Sequence, residues 1–194
     1  MNHKNTLTAA LFATLLALIM IPGVASANHN NEVVEFEVAE DATRFAFDDQ
    51  HVFANGFPAY GNAFITQGYI YPEGTLSADS NGVFSGVNPD GSPQFPNEVI
   101  GEWTCRGWFI GDGFATASGP IVITTQLYDL RLDEPGKRTL VTDGVELIDV
   151  GQTVRRAVTG GTGRYRAADG QAKQTLLGFN ALEGVSLSIR VEVE

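Results

Sequence analysis

Residues 156–170 read RAVTGGTGRYRAADG and form the most distinctive stretch of the 194-residue chain. The adjacent Gly160 and Gly161 allow positive φ in a tight turn, and the Thr162 hydroxyl can bond to nearby backbone. We therefore expect one strand to enter this turn and a second strand to return to the same sheet. The glycine content of the returning strand predicts a bend or bulge near Gly170.

The C-terminal segment shows the clearest strand pattern in the chain. Five branched apolar residues alternate there with serine, arginine and glutamate: Val185, Leu187, Ile189, Val191 and Val193. Successive side chains of a strand point to opposite faces, so all five lie on one face. This pattern is typical of a half-buried antiparallel strand.

Short alternating segments separated by Gly, Pro, Asn and Asp recur through the rest of the chain, and helical periodicity is scarce. The further predicted strands cover residues 33–38, 44–53, 60–71, 82–87, 98–110, 120–131, 137–150, 153–159 and 165–179. Residues 88–97 are predicted to be the longest structureless loop. Many short strands favour an all-β sandwich or barrel. Glycines within strands, such as Gly68 and Gly107, would relieve the coiling of a small barrel, which favours a closed antiparallel barrel of about eight strands.

Three segments resemble the family of plant dirigent proteins and allene oxide cyclases. Residues 156–170 match its pattern of a strand, a V-x-G-G-T-G turn, a basic residue with an aromatic one, and an alanine- and glycine-rich strand. Residues 61–71 (GNAFITQGYIY) look like its early strand, and residues 102–108 (EWTCRGW) are similar to bacterial members. The resemblance implies an eight-stranded barrel, commonly trimeric, whose cavity steers the cyclisation or coupling of a small apolar oxygenated molecule without a cofactor.

The first 27 residues have the pattern of a cleaved secretory signal peptide. Lys4 gives a short basic start, residues 7–21 are nearly all apolar, and Ala25 to Ala27 fit the A-x-A cleavage rule. The apolar run is shorter than the roughly 18 to 20 residues that a membrane span needs. We therefore expect residues 28–194 to form one secreted or periplasmic domain that does not insert in the membrane after cleavage.

Charge and cysteine content narrow the range of partners. The chain has 12 basic and 23 acidic residues and a formal net charge of −11, which disfavours nucleic acid and anionic membranes as partners. Cys105 is the only cysteine, so neither an intramolecular disulfide nor a thiolate metal cluster can form. We expect no metal and no cofactor.

Strand alternation provides the candidate catalytic residues. Asp49 and His51 share a strand face with Phe45 and Phe47, so an acid and a base would stand on an aromatic face, as general acid–base catalysis requires. The alternative is that the strand bulges or ends there and both groups are solvated. Tyr69 is the third catalytic candidate, because its phenol could bond to a ligand oxygen.

The candidate ligand-binding residues come from the central strands and from the glycine-rich turn: Gln67, Tyr71, Trp103, Cys105, Arg106, Tyr128 and Arg166. Each has a structural alternative. The tyrosines can serve as amphipathic wall residues, and the cysteine can be a small packing residue. Arg106 can form a surface pair with Glu102, and Arg166 can be solvated after the turn.

Three functions fit this sequence. The first is a cofactor-free cyclase or isomerase that folds a reactive ligand into one conformer. The second is a carrier that holds an apolar metabolite without changing it. The third is an exported structural protein whose barrel is filled by its own side chains. The resemblance favours the first function, and the substrate does not follow from the sequence.

Cleavage of the signal peptide gives the first prediction. We expect the mature protein to begin near Asn28 and to accumulate outside the cytoplasm, because the apolar run ends at an A-x-A site. Intact-mass measurement of the exported fraction checks this. A protein that retains Met1 would show that the segment is not cleaved.

Overall fold

The computed structural model describes residues 32–49, 52, 54, 56, 58, 60–111 and 120–193. Its eight strands are β1 (Glu32–Phe47), β2 (Ala63–Pro72), β3 (Gly101–Phe109), β4 (Pro120–Asp129), β5 (Thr139–Leu147), β6 (Thr153–Gly161), β7 (Gly170–Phe179) and β8 (Val185–Val193). A 3₁₀ turn (Gly163–Tyr165) lies between β6 and β7. In the described residues no helix has the length and apolar character needed to cross a bilayer.

The sheet closes on itself. Each strand pairs in antiparallel fashion with its neighbours in sequence, and β8 pairs with β1. The predicted all-β, closed antiparallel barrel of about eight strands is therefore confirmed. The odd-numbered strands all finish at one end of the barrel, which we call the upper end, and they start at the opposite, lower end. The predicted signal peptide, residues 1–27, lies outside the described residues.

Some strand boundaries differ from the prediction. β1 joins the two predicted strands 33–38 and 44–53, and its register with β2 shifts between Asp41 and Ala46. In β7 the shift lies between Leu176 and Gly178 and not near Gly170. A Cβ atom on Gly178 would lie 2.7 Å from the Phe84 ring, so glycine at this position leaves the space that Phe84 occupies.

Two inner glycines of the strands permit close strand approach. A Cβ atom on Gly68 would lie 2.4 Å from the Ala39 carbonyl oxygen, and one on Gly107 would lie 2.1 Å from the Ile123 carbonyl oxygen. No side chain fits at these distances without movement of the backbone. Glycine is thus required where the barrel wall coils most tightly.

The glycine-rich segment has two kinds of glycine. Gly160 and Gly163 adopt positive φ, at +141° and +60°. Gly161 is the last residue of β6 and does not need positive φ; its Cβ atom would lie 2.2 Å from the Thr139 carbonyl oxygen. The expectation of positive φ at both adjacent glycines is thus corrected, because Gly161 provides space and Gly160 provides the backbone conformation.

The Thr162 hydroxyl ties this segment to the β4–β5 hairpin. It donates to the Gly136 carbonyl at 2.6 Å and accepts the Thr139 N–H at 3.0 Å. The chain then turns inward, and Tyr165 is 1% exposed at the lower end of the barrel. The segment therefore closes the lower end and joins three strands there.

Residues 73–100 cover the outer face of β1 and β2, and we call this segment the strap. Ala39 and Tyr71 of the strands pack there against Leu76 and Val87 of the strap in a second apolar core. The Tyr71 hydroxyl donates to the Gly86 carbonyl at 2.6 Å. The strap has only isolated bridges where a strand is predicted for residues 82–87. Its turns fold back on the sheet, so the predicted loop 88–97 is packed against the barrel.

The positive φ of Gly163 gives a testable prediction about stability. In Gly163→Ala the new Cβ would lie 2.3 Å from the Lys137 carbonyl oxygen, in addition to the strain of φ at +60°. Gly151→Ala is the matched control, since Gly151 has φ at +79° and no atom within 4 Å of its Cβ position. Both variants carry the strain of positive φ, so the difference reports the clash. Urea denaturation should show that Gly163→Ala loses about 1 to 3 kcal/mol more than the control, as overpacking does. Equal losses would show that the backbone near Lys137 moves to make room for the new Cβ atom.

Candidate functional site

The barrel interior contains a layer of polar side chains between apolar layers. We call it the interior polar cluster, and it comprises Glu40, Thr66, Cys105, Thr124, Gln126, Thr142, Glu146, Arg156 and Gln174. Toward the lower end lie apolar core residues that include Phe36, Ile70, Leu140 and Tyr165. Polar side chains inside a barrel are costly unless they are paired, so their partners define the site.

Glu146 is the centre of the cluster. Its Oε1 accepts the Thr124 hydroxyl at 2.5 Å and the Gln126 side-chain amide at 2.8 Å, and its Oε2 accepts the Gln174 amide at 3.0 Å. An Arg156 guanidinium nitrogen lies 3.5 Å from Oε1. The Glu146 side chain is 13% exposed and stands one residue before the end of β5, so it faces the upper end.

Arg156 is the buried cation that this carboxylate faces. Its side chain is fully buried, and its Nε donates to the Thr142 hydroxyl at 3.0 Å. One terminal nitrogen donates to the Thr124 carbonyl at 2.9 Å. A Cβ atom on Gly144 would lie 3.1 Å from Arg156 Cγ, so glycine there leaves the space that the side chain occupies. The guanidinium is thus fixed by several strands at once.

Glu40 supplies a second carboxyl group with a different environment. It is 6% exposed, and it accepts the Thr66 hydroxyl at 2.5 Å and the Val185 N–H at 2.8 Å. Burial raises the pKa of Glu40 above the ordinary value, and the nearby charge of Glu146 raises this pKa further. A carboxyl group with a raised pKa can donate a proton, whereas Glu146 is surrounded by donors.

Three predicted ligand-binding residues lie in this interior. Cys105 Sγ is 3.6 Å from Glu146 Oε1, and burial raises the pKa of the thiol well above its ordinary value, which disfavours a nucleophilic thiolate. Tyr128 is fully buried and donates to the Gln126 side-chain oxygen. Trp103 is 1% exposed, and its indole N–H has no hydrogen-bond partner among the described residues.

An aromatic layer lies between the polar cluster and the upper end. Phe64 stacks on Phe45 with ring centroids 5.7 Å apart and contacts Phe109 at 5.1 Å. Ile148 packs against the same group. This layer gives the upper part of the barrel interior an apolar, aromatic lining.

The other predicted residues of β2 face outward. Gln67 donates to the Thr104 hydroxyl at 3.2 Å, Tyr69 donates to the Gly91 carbonyl at 2.9 Å, and Tyr71 is buried under the strap. The inner residues of β2 are Phe64, Thr66 and Ile70. Gln67, Tyr69 and Tyr71, which are candidates for contact with a ligand, therefore do not line the barrel interior. Alternation defines two faces, and the strap buries the aromatic residues of the outer one.

The remaining predicted residues do not converge with the interior polar cluster. Asp49 is exposed just after β1, and His51 lies outside the described residues. Arg106 is exposed on the outer face of β3, and Arg166 is exposed at the lower end. Asp49 and Tyr69 thus lie away from the interior polar cluster. The catalytic roles assigned to Asp49, His51 and Tyr69 stay predictions.

The sequence interpretation missed Glu40, Glu146 and Arg156. A signal for Arg156 was present, because it alternates with Val154 and Val158 and therefore shares their face. The signal for Glu146 is weaker. It lies on the same strand face as Leu140, but the two residues between them on that face are a threonine and a glycine. Charged residues in strands are usually solvated, so neither pattern by itself indicates an interior charge.

Comparison with known proteins identifies the fold. A pyocyanin demethylase is 12% identical over 84% of this chain and 100% of its own, with a TM-score of 0.52. Two pterocarpan synthase dirigent proteins are 12% and 14% identical, over 85% and 84% of this chain and 95% and 85% of theirs, with TM-scores of 0.59 and 0.55. Neither a protein-family model nor a curated protein matches the chain. The chain therefore has the dirigent-like barrel fold that residues 156–170 imply.

The raised pKa of Glu40 predicts a pH-dependent stability. The unfolded chain releases this proton near the ordinary pKa of 4.5, whereas the folded protein keeps it to higher pH. The stability contribution is therefore fully present below that value and is lost as the pH rises through the raised pKa. Glu40→Gln mimics the neutral acid, so its stability relative to wild type should be greater at pH 8 than at pH 4.5 in urea denaturation. The exposed variant Glu73→Gln should show no such change. Equal differences at both pH values for Glu40→Gln would contradict the assignment.

Proposed function

We propose that this dirigent-like barrel binds a small apolar oxygenated molecule in its interior and steers the cyclisation or isomerisation of that molecule without a cofactor. The observation that supports the proposal is the interior polar cluster, in which Glu40 and Glu146 lie beneath an aromatic layer. A barrel whose interior served packing alone would be filled by apolar side chains. Two carboxyl groups in different environments are typical of acid–base chemistry.

The aromatic layer would position the ligand, and the polar cluster would carry out the chemistry. Phe45, Phe64 and Phe109 would hold the apolar body in one conformer, which lowers the entropic part of the barrier. Glu40 would donate a proton or a hydrogen bond to the ligand oxygen. Glu146, fixed by Arg156, would stabilise positive charge that develops on carbon or would remove a proton there. In an isomerisation the ligand would gain one proton from Glu40 and lose one to Glu146, so its proton count would not change.

A carrier is the second candidate, and one observation favours it. The donors that surround Glu146 all come from the protein, so the carboxylate is already satisfied without a ligand. The barrel would then hold an apolar molecule through the aromatic layer alone. The two candidates differ in whether the bound molecule is changed.

The proposal includes an exported protein that functions as a trimer or dimer. The signal pattern of residues 1–27 supports export. The resemblance of residues 156–170 to a family with trimeric members supports self-association. The reaction partner is a small molecule, and neither nucleic acid nor membrane lipid is part of the proposed function.

Isolation of the protein from its natural source provides the test. We expect native mass spectrometry to detect a copurified small apolar molecule, and the wild type to convert the precursor of that molecule to a single product. Glu146→Gln should slow the conversion by about 100-fold or more, because a positioned acid or base contributes roughly that factor. Glu98→Gln is the matched control, since Glu98 is exposed on the strap.

The melting temperature of each variant separates loss of chemistry from loss of fold. If the molecule is released unchanged from wild type and from Glu146→Gln, the carrier function replaces the catalytic one. If the barrel neither retains nor converts any small molecule, both candidates fail.

A further inference from the structure

A groove crosses the outer face of the barrel, on the side opposite the interior polar cluster of the same strands. It has a volume of about 620 Å³, which is within the usual range for small-molecule sites. The small residues Ala46 and Ala63 and the backbone of Gly107 form its floor and leave space between larger neighbours. Phe64 of the aromatic layer also lines the groove. The strap does not cover this part of β2 and β3, where Ile65 is 48% exposed.

Arg106 is the cation of this groove. It stands between Ile65 of β2 and Thr125 of β4, with which it is paired in register. Among the described residues Arg106 has no ion-pair or hydrogen-bond partner. The nearest acidic groups along the sheet are Asp48, which follows β1, and Asp143 of β5. Both lie on or next to strands two places from β3, or about 10 Å at the usual strand spacing. Asp48 also lines the groove, at the end away from Arg106, next to Ala63.

Trp108 provides a flat apolar wall next to this cation. Its indole is 57% exposed, and the residue lies two positions after Arg106 on the same face of β3. Phe47 and Ile65 line the groove with it. An exposed indole beside an unpaired guanidinium is unusual in a chain of net charge −11, where most arginines of the described residues contact a carboxylate.

We propose that this groove binds a planar aromatic carboxylate, at a site separate from the barrel interior. The guanidinium of Arg106 matches a carboxylate with two parallel hydrogen bonds. The aromatic ring then stacks on the Trp108 indole and fills the space above Ala63. This inference does not depend on the proposed interior chemistry, because it concerns the outer face.

The two tryptophans allow a direct test with the mature protein. Trp103 lies in the interior and Trp108 in the groove, so the two indole N–H signals of ¹⁵N-labelled protein report on separate sites. We expect 2-naphthoate to shift the Trp108 signal in a saturable way. The uncharged 2-naphthalenemethanol should bind at least about tenfold more weakly, since it lacks the charge-assisted hydrogen bonds.

Arg106→Gln should weaken naphthoate binding by about tenfold or more. Arg155→Gln, which removes an exposed cation from β6, is the matched control and should leave the affinity unchanged. The proposal is overturned if Arg106→Gln binds naphthoate as wild type does, or if only the Trp103 signal moves. It is also overturned if sedimentation shows an oligomer in which a second copy covers Trp108, because the groove would then be an interface.

Discussion

A guanidinium buried in the barrel interior constrains the arrangement around it. Arg156 is fully buried, and burial of a charge costs several kcal/mol unless it is paired and hydrogen-bonded. Glu146, Thr142 and the Thr124 carbonyl meet that requirement. These partners come from β4 and β5, so the cation of β6 holds three strands in register. At the height of Arg156, polar side chains take the place of aliphatic ones. They separate an apolar lower part of the interior from an aromatic upper part.

Burial of these charged groups stabilises the fold little or not at all relative to an apolar interior. Replacement of buried ion pairs by apolar side chains of similar volume is often neutral or stabilising. The same fold could be filled with branched residues, as it is around Leu187 and Ile189. An interior that buries Glu146, Arg156 and Glu40, each with its own hydrogen-bond partners, therefore favours a functional role. That role depends on the aromatic layer, which shields the carboxyl groups from the upper end.

Sequence reasoning predicted the closed barrel because strand alternation and strand glycines follow from backbone geometry. It could not assign the inner face of β2, since the strap gives the outer face aromatic residues such as Tyr71 as well. It missed Glu146 and Arg156 because a paired interior charge has the same local pattern as a solvated one. Cys105 is buried in the interior, where the sequence had left a ligand-binding role and a packing role as alternatives.

The central claim is that a small molecule binds in the barrel interior. A crystal structure of the protein isolated from its natural source tests this most directly. We predict electron density for a small molecule packed against the Phe64 and Phe109 rings, with an oxygen near Glu40 and a carbon framework near Glu146. An interior packed only by protein side chains, with any bound molecule confined to the outer face, would contradict the account.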